Sequence, residues 1–335
     1  NNISIWKTSN KELLRPIRVS EPIQSILLTH DDLRIVSAHP ENVSGNGGKI
    51  RIWDKETGVL IHTLPISSGN ILSMSLDSSD QYLGVLGADS MVFLWDLDTN
   101  VLRATLQASD GLSALAIDKE ASVIYVAGQT AKIQKYNLDQ NTAAKAGQKY
   151  ISLTPQTIGQ TLSSTNANAP ATIAIADDKS SFIAGGWDNE LKVFIASSNE
   201  PTHSIAGSNA SLIQCRISTD SKIAICVSAN QEAHIYDIKQ GLYLKKLPSL
   251  YSVSTLDFDQ DGRMLIVGAQ SGRVELFAMN TLNKTDFTYQ EWVDMAMLPI
   301  QDNVPRLSSV TDELHLPSPT KNAITININI KNGLF

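Results

Sequence analysis

Short apolar runs alternate with polar turns along most of the chain. The first unit reads IQSILL, LRIVSA, KIRIWD and VLIHTL, and the second reads ILSMSL, YLGVLG, MVFLWD and VLRATL. Alternating runs rich in β-branched and aromatic residues are typical of strands. Small residues such as Gly185-Gly186 lie between the second and third runs and suit tight hairpins. The pattern therefore predicts successive antiparallel units of four strands.

Two markers repeat along the chain with a common period. A polar turn after an apolar run recurs with steps of 41, 59, 41 and 41, and its residues are Asp77, Asp118, Asp177, Ser218 and Asp259, with His30 47 residues before the first. An aromatic residue ends an alternating run with steps of 42, 41, 58, 42 and 41, at Trp53, Trp95, Tyr136, Phe194, Tyr236 and Phe277. Shared periods near 40 indicate a repeat protein. Because a four-stranded sheet cannot bury both faces alone, we expect the units to pack around a closed ring.

The ends of several units resemble WD40 repeats. Ile50–Asp54 reads IRIWD and Val92–Asp96 reads VFLWD, which resemble the Trp-Asp ending of that family, and Tyr136–Asp139 and Ile235–Asp237 are weaker copies. The resemblance covers roughly residues 1–288. It implies an all-β fold, a β-propeller of four-stranded antiparallel blades.

The chain departs from the family pattern at one network. The Gly-His pair that usually opens a WD40 repeat is missing, so the family's His–Ser–Asp–Trp hydrogen-bond network is expected to be incomplete. The pairs Ser37 with Trp53 and Asp89 with Trp95 would be its remnants.

Six full units run from Ile23 to about Thr288. Ile3–Trp6 and the following LRPIRV supply the third and fourth strands of another unit, so we predict seven blades, with six as the alternative. The missing strands would come from the tail, where 323–330 alternates strictly, or from sequence upstream of Asn1. The interval 140–170 is predicted to be an insertion loop that holds one strand, YISLT.

The remaining residues, 289–335, are predicted to form a separate C-terminal tail. Trp292, Met295 and Ala296 lie at helical spacing, which predicts a short helix over about 289–298 that ends at Pro299.

The stretch DFDQDGRM begins like a calcium loop. Asp257, Asp259, Asp261 and Gly262 fit the opening D-x-D-x-D-G of an EF-hand. The twelfth position, however, is Gly268 instead of an acid, and a strand-like run follows where a helix is needed. We therefore interpret Asp259–Gly262 as a polar turn and expect no metal or cofactor.

Composition excludes several classes of function. The 335 residues carry 34 acids and 27 bases, a formal charge of −7, without a cluster of Lys and Arg, so we expect no nucleic-acid partner. No apolar run has the length of a membrane-spanning helix, and no signal peptide is recognisable. Cys215 and Cys226 lie in apolar strands and are interpreted as buried thiols without a redox or metal role. We expect an intracellular, cytoplasmic protein. Because residue 1 is Asn, we expect processing or a longer parent chain.

No catalytic motif is visible. None of the six histidines has zinc-ligand spacing, and no G-x-S-x-G nucleophile elbow occurs. We predict that the chain is not an enzyme. A channel site assembled from one residue of each blade would escape a local motif search and remains the distant alternative.

The predicted function is a non-catalytic scaffold that binds a partner protein or peptide across one propeller face. Trp187 is the leading candidate contact, since it lies in a turn instead of at the end of a third strand. The other predicted contact residues are Asp188, Asn189, Asp89, Asn230, His39 and Tyr251. The alternative is a sensor or regulatory propeller of a larger signalling protein or enzyme.

Overall fold

The computed structural model contains seven separate β-sheets. It describes residues 2–7, 13–40, 47–66, 69–108, 111–118, 122–128, 133–138, 156–158, 172–178, 180–247, 249, 251–259, 262, 264–272, 274–278, 296–300 and 323–325. No α-helix occurs in these ranges.

Six sheets are complete blades of four consecutive strands, which we number 1 to 6 and whose strands we call a to d in chain order. Blades 1 to 3 contain β3 (Ser25–Leu28), β4 (Arg34–His39), β5 (Lys49–Asp54), β6 (Leu60–Pro65), β7 (Ile71–Leu76), β8 (Tyr82–Gly87), β9 (Met91–Asp96), β10 (Val101–Gln107), β11 (Leu112–Ile117), β12 (Val123–Gly128), β13 (Ile133–Asn137) and β14 (Gln156–Ile158). Blades 4 to 6 contain β15 (Thr172–Ile175), β16 (Ser181–Gly185), β17 (Glu190–Ile195), β18 (His203–Ala206), β19 (Leu212–Ile217), β20 (Ile223–Ser228), β21 (Ala233–Asp237), β22 (Leu242–Lys246), β23 (Val253–Phe258), β24 (Met264–Ala269), β25 (Val274–Ala278) and β26 (Ala296–Ile300).

The seventh sheet combines both parts of the chain that lie outside the six repeats. Its strands are β1 (Asn2–Lys7), β2 (Leu13–Arg18) and β27 (Ala323–Thr325), in the order β2-β1-β27. Strand β27 pairs with β1 in the way that strand b pairs with strand c elsewhere. The prediction of seven blades is confirmed, and the tail supplies a strand to the incomplete blade.

Hydrophobic clusters lie between neighbouring blades. One cluster joins blades 1 and 2 through residues such as Val36, Ile52, Leu83 and Phe93, and comparable clusters join each further pair up to blades 5 and 6. Ile5 packs with Ile35 and Trp53 between blades 7 and 1. These sheets therefore bury apolar side chains against their neighbours, as expected for a ring of repeats.

The aromatic marker behaves as the sequence predicts. All six marker residues lie in strand c and are buried, at Trp53, Trp95, Tyr136, Phe194, Tyr236 and Phe277. The a strands lie side by side around the centre, where the Ser73 hydroxyl accepts a hydrogen bond from the Leu115 N–H (3.3 Å) and the Thr172 hydroxyl accepts one from the Cys215 N–H (2.9 Å).

The polar marker corresponds to a hydrogen bond inside the a–b turn. A side-chain oxygen accepts the N–H of the residue five positions later, at 2.6–3.0 Å, in five blades, from Thr29, Asp77, Asp118, Ser218 and Asp259. In blade 4 the equivalent residue is Ala176, whose N–H bonds to the Ser181 carbonyl as the Asp77 N–H bonds to the Tyr82 carbonyl. The prediction that placed the polar marker of blade 4 at Asp177 was therefore wrong by one residue, since the marker position is Ala176. In blade 1 the marker position is likewise Thr29 instead of His30.

The calcium-like stretch is one of these turns. Asp259 Oδ1 accepts the Met264 N–H at 2.8 Å, and Gly262 adopts a φ of 64°. Asp32, Asp80 and Ser221 occupy the same position in other blades with φ of 61°, 58° and 56°. Gly262 is therefore at a left-handed position that the turn requires in several blades.

The predicted helix over about 289–298 is not found at its C-terminal end. Residues 289–295 lie outside the described residues, whereas Ala296–Ile300 is strand β26 and pairs with β25. Pro299 is compatible with this strand because β26 is the outermost strand of its sheet and its register shifts there. The boundary at residue 288 stays a prediction, and the predicted strand YISLT lies outside the described residues.

Cys215 and Cys226 are not free thiols. They face each other across β19 and β20, with Cα atoms 4.1 Å apart, and form a disulfide. Both are fully buried, so the prediction of burial was correct and the prediction of free thiols was wrong.

Candidate functional site

The b–c turns form one end of the ring, which we call the b–c end. The d–a connections reach the same end, since the Ala229 N–H donates to the Ser211 carbonyl (2.8 Å) and the Gln270 N–H donates to the Ser252 carbonyl (3.0 Å). Trp187, Asn230 and Tyr251 therefore lie at this end, in blade 4, in blade 5 and in the connection from blade 5 to blade 6. Asp89 lies at the same end in blade 2.

Four b–c turns share one backbone geometry. Their fourth residue donates its N–H to the carbonyl of the first and has a positive φ, at Ser90, Asn189, Gln231 and Gly272. Asn189, a predicted contact residue, therefore has a conformational role, because Asn tolerates the left-handed region.

The third turn position is also used by the turn itself. Asp89 Oδ1 accepts the Met91 N–H at 3.2 Å, and Asp188 Oδ1 accepts the Glu190 N–H at 3.4 Å. Asn230 accepts a hydrogen bond from the Ser228 hydroxyl and donates to Glu232 Oε2 at 2.9 Å. Asp89 and Asn230 are exposed and Asp188 is partly buried.

The second turn position distinguishes blade 4 from the others. Blades 2, 5 and 6 have Ala88, Ala229 and Gln270 there, whereas blade 4 has Trp187. Trp187 is 38% exposed, in contrast to the buried aromatic residues of strand c. No backbone requirement of the turn explains an indole at this position.

The blade 4 turn is held by Lys192 and Glu190, which no sequence pattern indicated. The Lys192 ammonium is buried and bonds to Asp188 and to Glu190, the latter at 3.4 Å. Glu190 also accepts the Ser204 hydroxyl, and this hydrogen bond lowers the pKa of Glu190. The Gly186 carbonyl accepts the Leu212 N–H of blade 5 at 3.1 Å. The turn that carries Trp187 is therefore fixed on both sides.

Tyr251 and its surroundings extend this surface toward blade 6. The Tyr251 N–H donates to the Ser249 hydroxyl at 3.2 Å, and that hydroxyl also bonds to the buried Glu275. Tyr251 itself is half-buried.

His39 was predicted to share this surface, and the structure corrects that prediction. Its ring is fully buried: Nδ1 donates to the Pro22 carbonyl (2.9 Å), and Nε2 lies 2.8 Å from the Ser37 hydroxyl, which accepts the Trp53 indole N–H at 2.7 Å. Burial lowers the pKa of His39 to about 4, so the ring is neutral and can donate at one nitrogen and accept at the other. A side chain without exposed surface cannot contact a partner.

One of the two expected remnants of the WD40 network is therefore present and the other is not. The Trp53–Ser37 pair exists and is continued by His39. In blade 2, Val85 occupies the position of Ser37, and the buried Trp95 indole N–H has no partner among the described residues. The Asp89 carboxylate accepts the Met91 N–H of its own turn instead.

The described residues contain no group of three or more His, Cys, Asp and Glu side chains placed to hold a metal ion. Within the same part of the chain, no helix is long and apolar enough to cross a membrane.

Comparisons with known proteins agree with the fold. No family model matches the chain. Autophagy-related protein 16 of Arabidopsis thaliana is 21% identical over 248 residues, which cover 71% of this chain and 45% of that protein, so the chain spans less than half the length of this curated relative. The solved β-propeller domain of Myceliophteria thermophila Cps50 (Swd1) superposes with a TM-score of 0.67 at 13% identity, over 85% of this chain and 88% of the other. At these identities the likeness concerns the fold alone: the chain is a seven-bladed β-propeller of the type that WD40 repeats build.

Proposed function

We propose that this chain is a non-catalytic interaction module that binds a partner protein or peptide at the b–c end of blades 4 to 6. The observation that carries the proposal is Trp187, a large exposed aromatic residue in a turn whose backbone and charged neighbours are already fixed. Asn230 and Tyr251 lie on the next connections of the same end, and Asp188 holds the turn in place.

The physical reason is the low cost of ordering. Trp is enriched among residues that dominate binding energy, because it buries a large area with few rotatable bonds. A turn held by Lys192, Glu190 and a hydrogen bond to blade 5 loses little conformational entropy when a partner covers it.

The alternative function uses the same surface within a larger protein. If the propeller is a sensor or regulatory domain of a signalling protein or enzyme, the surface around Trp187 contacts another domain of that protein. Asp89 is less favoured as a contact in either case, because it lies in blade 2, outside the surface that blades 4 to 6 share.

An intracellular location also stays a proposal, and the Cys215–Cys226 bond weighs against a cytosolic one. Disulfides are rare in the cytosol. Thiol titration of unfolded protein, purified from its own cells under acid quenching, supports a cytosolic location if both thiols are free and contradicts it if they are bonded.

The function is tested by affinity capture followed by a binding titration with the recovered partner. Trp187→Ala is expected to weaken binding by at least about tenfold, a loss of about 1.4 kcal/mol. Ile195→Ala is the matched control, since Ile195 is 49% exposed and ends strand β17, at the opposite end of the blade from the turn that carries Trp187. Equal affinity of the wild type and the Trp187 variant would contradict the proposal.

A further inference from the structure

Exposed apolar side chains are concentrated at one place on the opposite end of the ring. Eleven large apolar side chains are exposed among the described residues, and six of them lie at the a–b and c–d turns of blades 1 and 2. We call these six the rim patch: Leu33 (63% exposed), Val59 (60%), Val101 (58%), Leu60 (41%), Ile61 (41%) and Leu102 (39%).

Backbone and side-chain contacts place the turns that carry these residues side by side. The Leu33 carbonyl accepts the Lys55 N–H at 2.9 Å, and the Val59 carbonyl accepts the Asp54 N–H at 2.9 Å, so both border one turn. Arg34 connects the two blades, since its guanidinium donates to the Asp80 carbonyl at 3.2 Å and lies 3.9 Å from the Asp98 carboxylate. Val101 pairs with Asp96 at the neighbouring turn.

The fold does not require an apolar residue at the position of Leu33. The same carbonyl hydrogen bond is made in blades 2 to 5 by polar residues, at Gln81, Ser122, Ser180 and Lys222. Leu33 therefore exposes apolar surface to water without a role in the turn.

The two outer strands present their apolar residues beside irregular pairing. Strands β6 and β10 are the outermost strands of their sheets, and the register shifts at Ile61 in one and at Arg103 in the other. Leu60, opposite Trp53, and Leu102, opposite Trp95, remain partly exposed.

Acids outnumber bases around the rim patch. The bordering turns carry six acids and two bases, Asp31, Asp32, Asp54, Glu56, Asp96 and Asp98 against Arg34 and Lys55, and two further positive or titratable groups lie beside the patch, His30 next to Asp31 and Arg103 next to Leu102. Lys55 pairs with Asp32, and Arg34 pairs with Asp31 and Asp98. Hydrogen bonds from Thr57 lower the pKa of Asp54, so this carboxylate is charged at neutral pH.

We propose that the rim patch is a second docking surface, which binds a protein segment with two or more apolar side chains flanked by Lys or Arg. The apolar side chains cover Leu33, Val59 and Val101, and the basic residues meet the carboxylates of Asp54, Glu56 and Asp96. An anionic membrane surface does not fit, because the rim carries the same sign of charge.

The test is selection from a random peptide phage library against the intact chain, with counter-selection on the double variant Val59→Ser and Val101→Ser. Enriched peptides are expected to carry net positive charge and apolar residues. In fluorescence anisotropy, the double variant is expected to bind the most enriched peptide at least about tenfold more weakly. High ionic strength is expected to weaken binding to the wild type.

Leu242→Ser is the matched control. Leu242 is 50% exposed and lies opposite Asp237 in blade 5, as Val59 and Val101 lie next to the equivalent acids. This variant is expected to retain the wild-type affinity, and all variants should keep the wild-type melting temperature because the substituted residues are exposed.

Four outcomes would overturn the proposal. The first is that no peptide depends on Val59 and Val101 for binding. The second is enrichment of peptides without net positive charge. The third is self-association of the wild type in sedimentation velocity that the double variant abolishes, which would make the rim patch an interface between copies of this chain. The fourth is binding to anionic vesicles that is lost in the double variant.

Discussion

The two ends of the blades use their turn residues in different ways. At the a–b end, a side-chain oxygen accepts a backbone N–H in five of the six complete blades, with distances of 2.6–3.0 Å. At the b–c end, the third and fourth positions of the turns are also repeated, but the second position is Ala, Gln or Trp. A residue type that recurs at one turn position is explained by a requirement of the backbone at that position. No such requirement explains Trp187.

This difference separates residues that build the ring from residues available to a partner. Asp89, Asn230 and Asn189 have counterparts at the same turn positions of other blades and take part in the hydrogen bonds or the backbone conformation of their turns. Asp89 and Asn230 are nevertheless exposed. Trp187 and Leu33 have no counterpart of the same residue type at the equivalent described positions of other blades, and their side chains are exposed. His39 shows that occurring once is not sufficient, since it is buried and completes a hydrogen-bond network.

The largest expected effect is on the pH dependence of stability, and it tests whether His39 belongs to the residues that build the ring. Burial lowers the pKa of His39 to about 4, below the value of about 6.5 expected in the unfolded chain. As pH falls, the unfolded chain therefore takes up a proton at this histidine before the folded protein does. The contribution of neutral His39 to the free energy of unfolding is thus fully present above pH 6.5 and is lost as pH falls toward 4. The loss for this group alone is about 3 kcal/mol.

The measurement is the free energy of unfolding of the wild type and of His39→Gln between pH 7 and pH 4. The difference between them is expected to change across this window, because other titrating groups are common to both proteins. His30, whose pKa is raised by its hydrogen bond to Asp80, stabilises in the opposite sense, below its unfolded pKa. Parallel pH profiles would show that His39 is not buried as a neutral ring.

A second prediction concerns the repeated a–b turns. Asp77→Ala is expected to reduce the free energy of unfolding by about 1–3 kcal/mol, because the buried Tyr82 N–H loses its acceptor. Urea unfolding measures this change. Glu200→Ala, which removes an exposed acid in the c–d turn of blade 4, is the control and should change stability by no more than about 0.5 kcal/mol.

A smaller gain is expected from restoring the turn bond in blade 4. Ala176→Ser places a hydroxyl at the position of Ser218, where it can accept the Ser181 N–H, and should stabilise the protein by about 0.5–1 kcal/mol. Ala224→Ser, which puts a hydroxyl into a buried strand position of blade 5, should destabilise it. A loss of stability in Ala176→Ser would contradict the equivalence of Ala176 with the other turn residues.

The sequence contained most of the fold because its markers are set by burial and turn geometry. The strand c aromatics recur since each must fill the seam between two blades. The turn marker was misplaced in blade 4 because Asp177 looks like Asp118, whereas only the backbone bond of Ala176 identifies the equivalent position. Strand β26 was missed because pairing with β25 overrides the helical spacing of residues 289–298.

The candidate site could be predicted in part. Trp187 was singled out as a candidate contact because it departs from the position of the repeated aromatic residue, and its contact role stays a prediction. The supporting Lys192 was not, since its role depends on carboxylates brought together by the hairpin. His39 was misplaced because the family's histidine comes from another segment, and no pattern in one sequence indicates that a strand b histidine takes over part of its role.

The most direct measurement compares Trp187→Ala and Asp77→Ala in two assays, partner affinity and urea unfolding. Trp187→Ala is expected to lose at least about tenfold in affinity and to change stability by less than about 1 kcal/mol. Asp77→Ala, while folded, is expected to retain affinity and to lose stability. Unchanged affinity together with a large loss of stability in Trp187→Ala would show that Trp187 is part of the structural framework and would contradict the account.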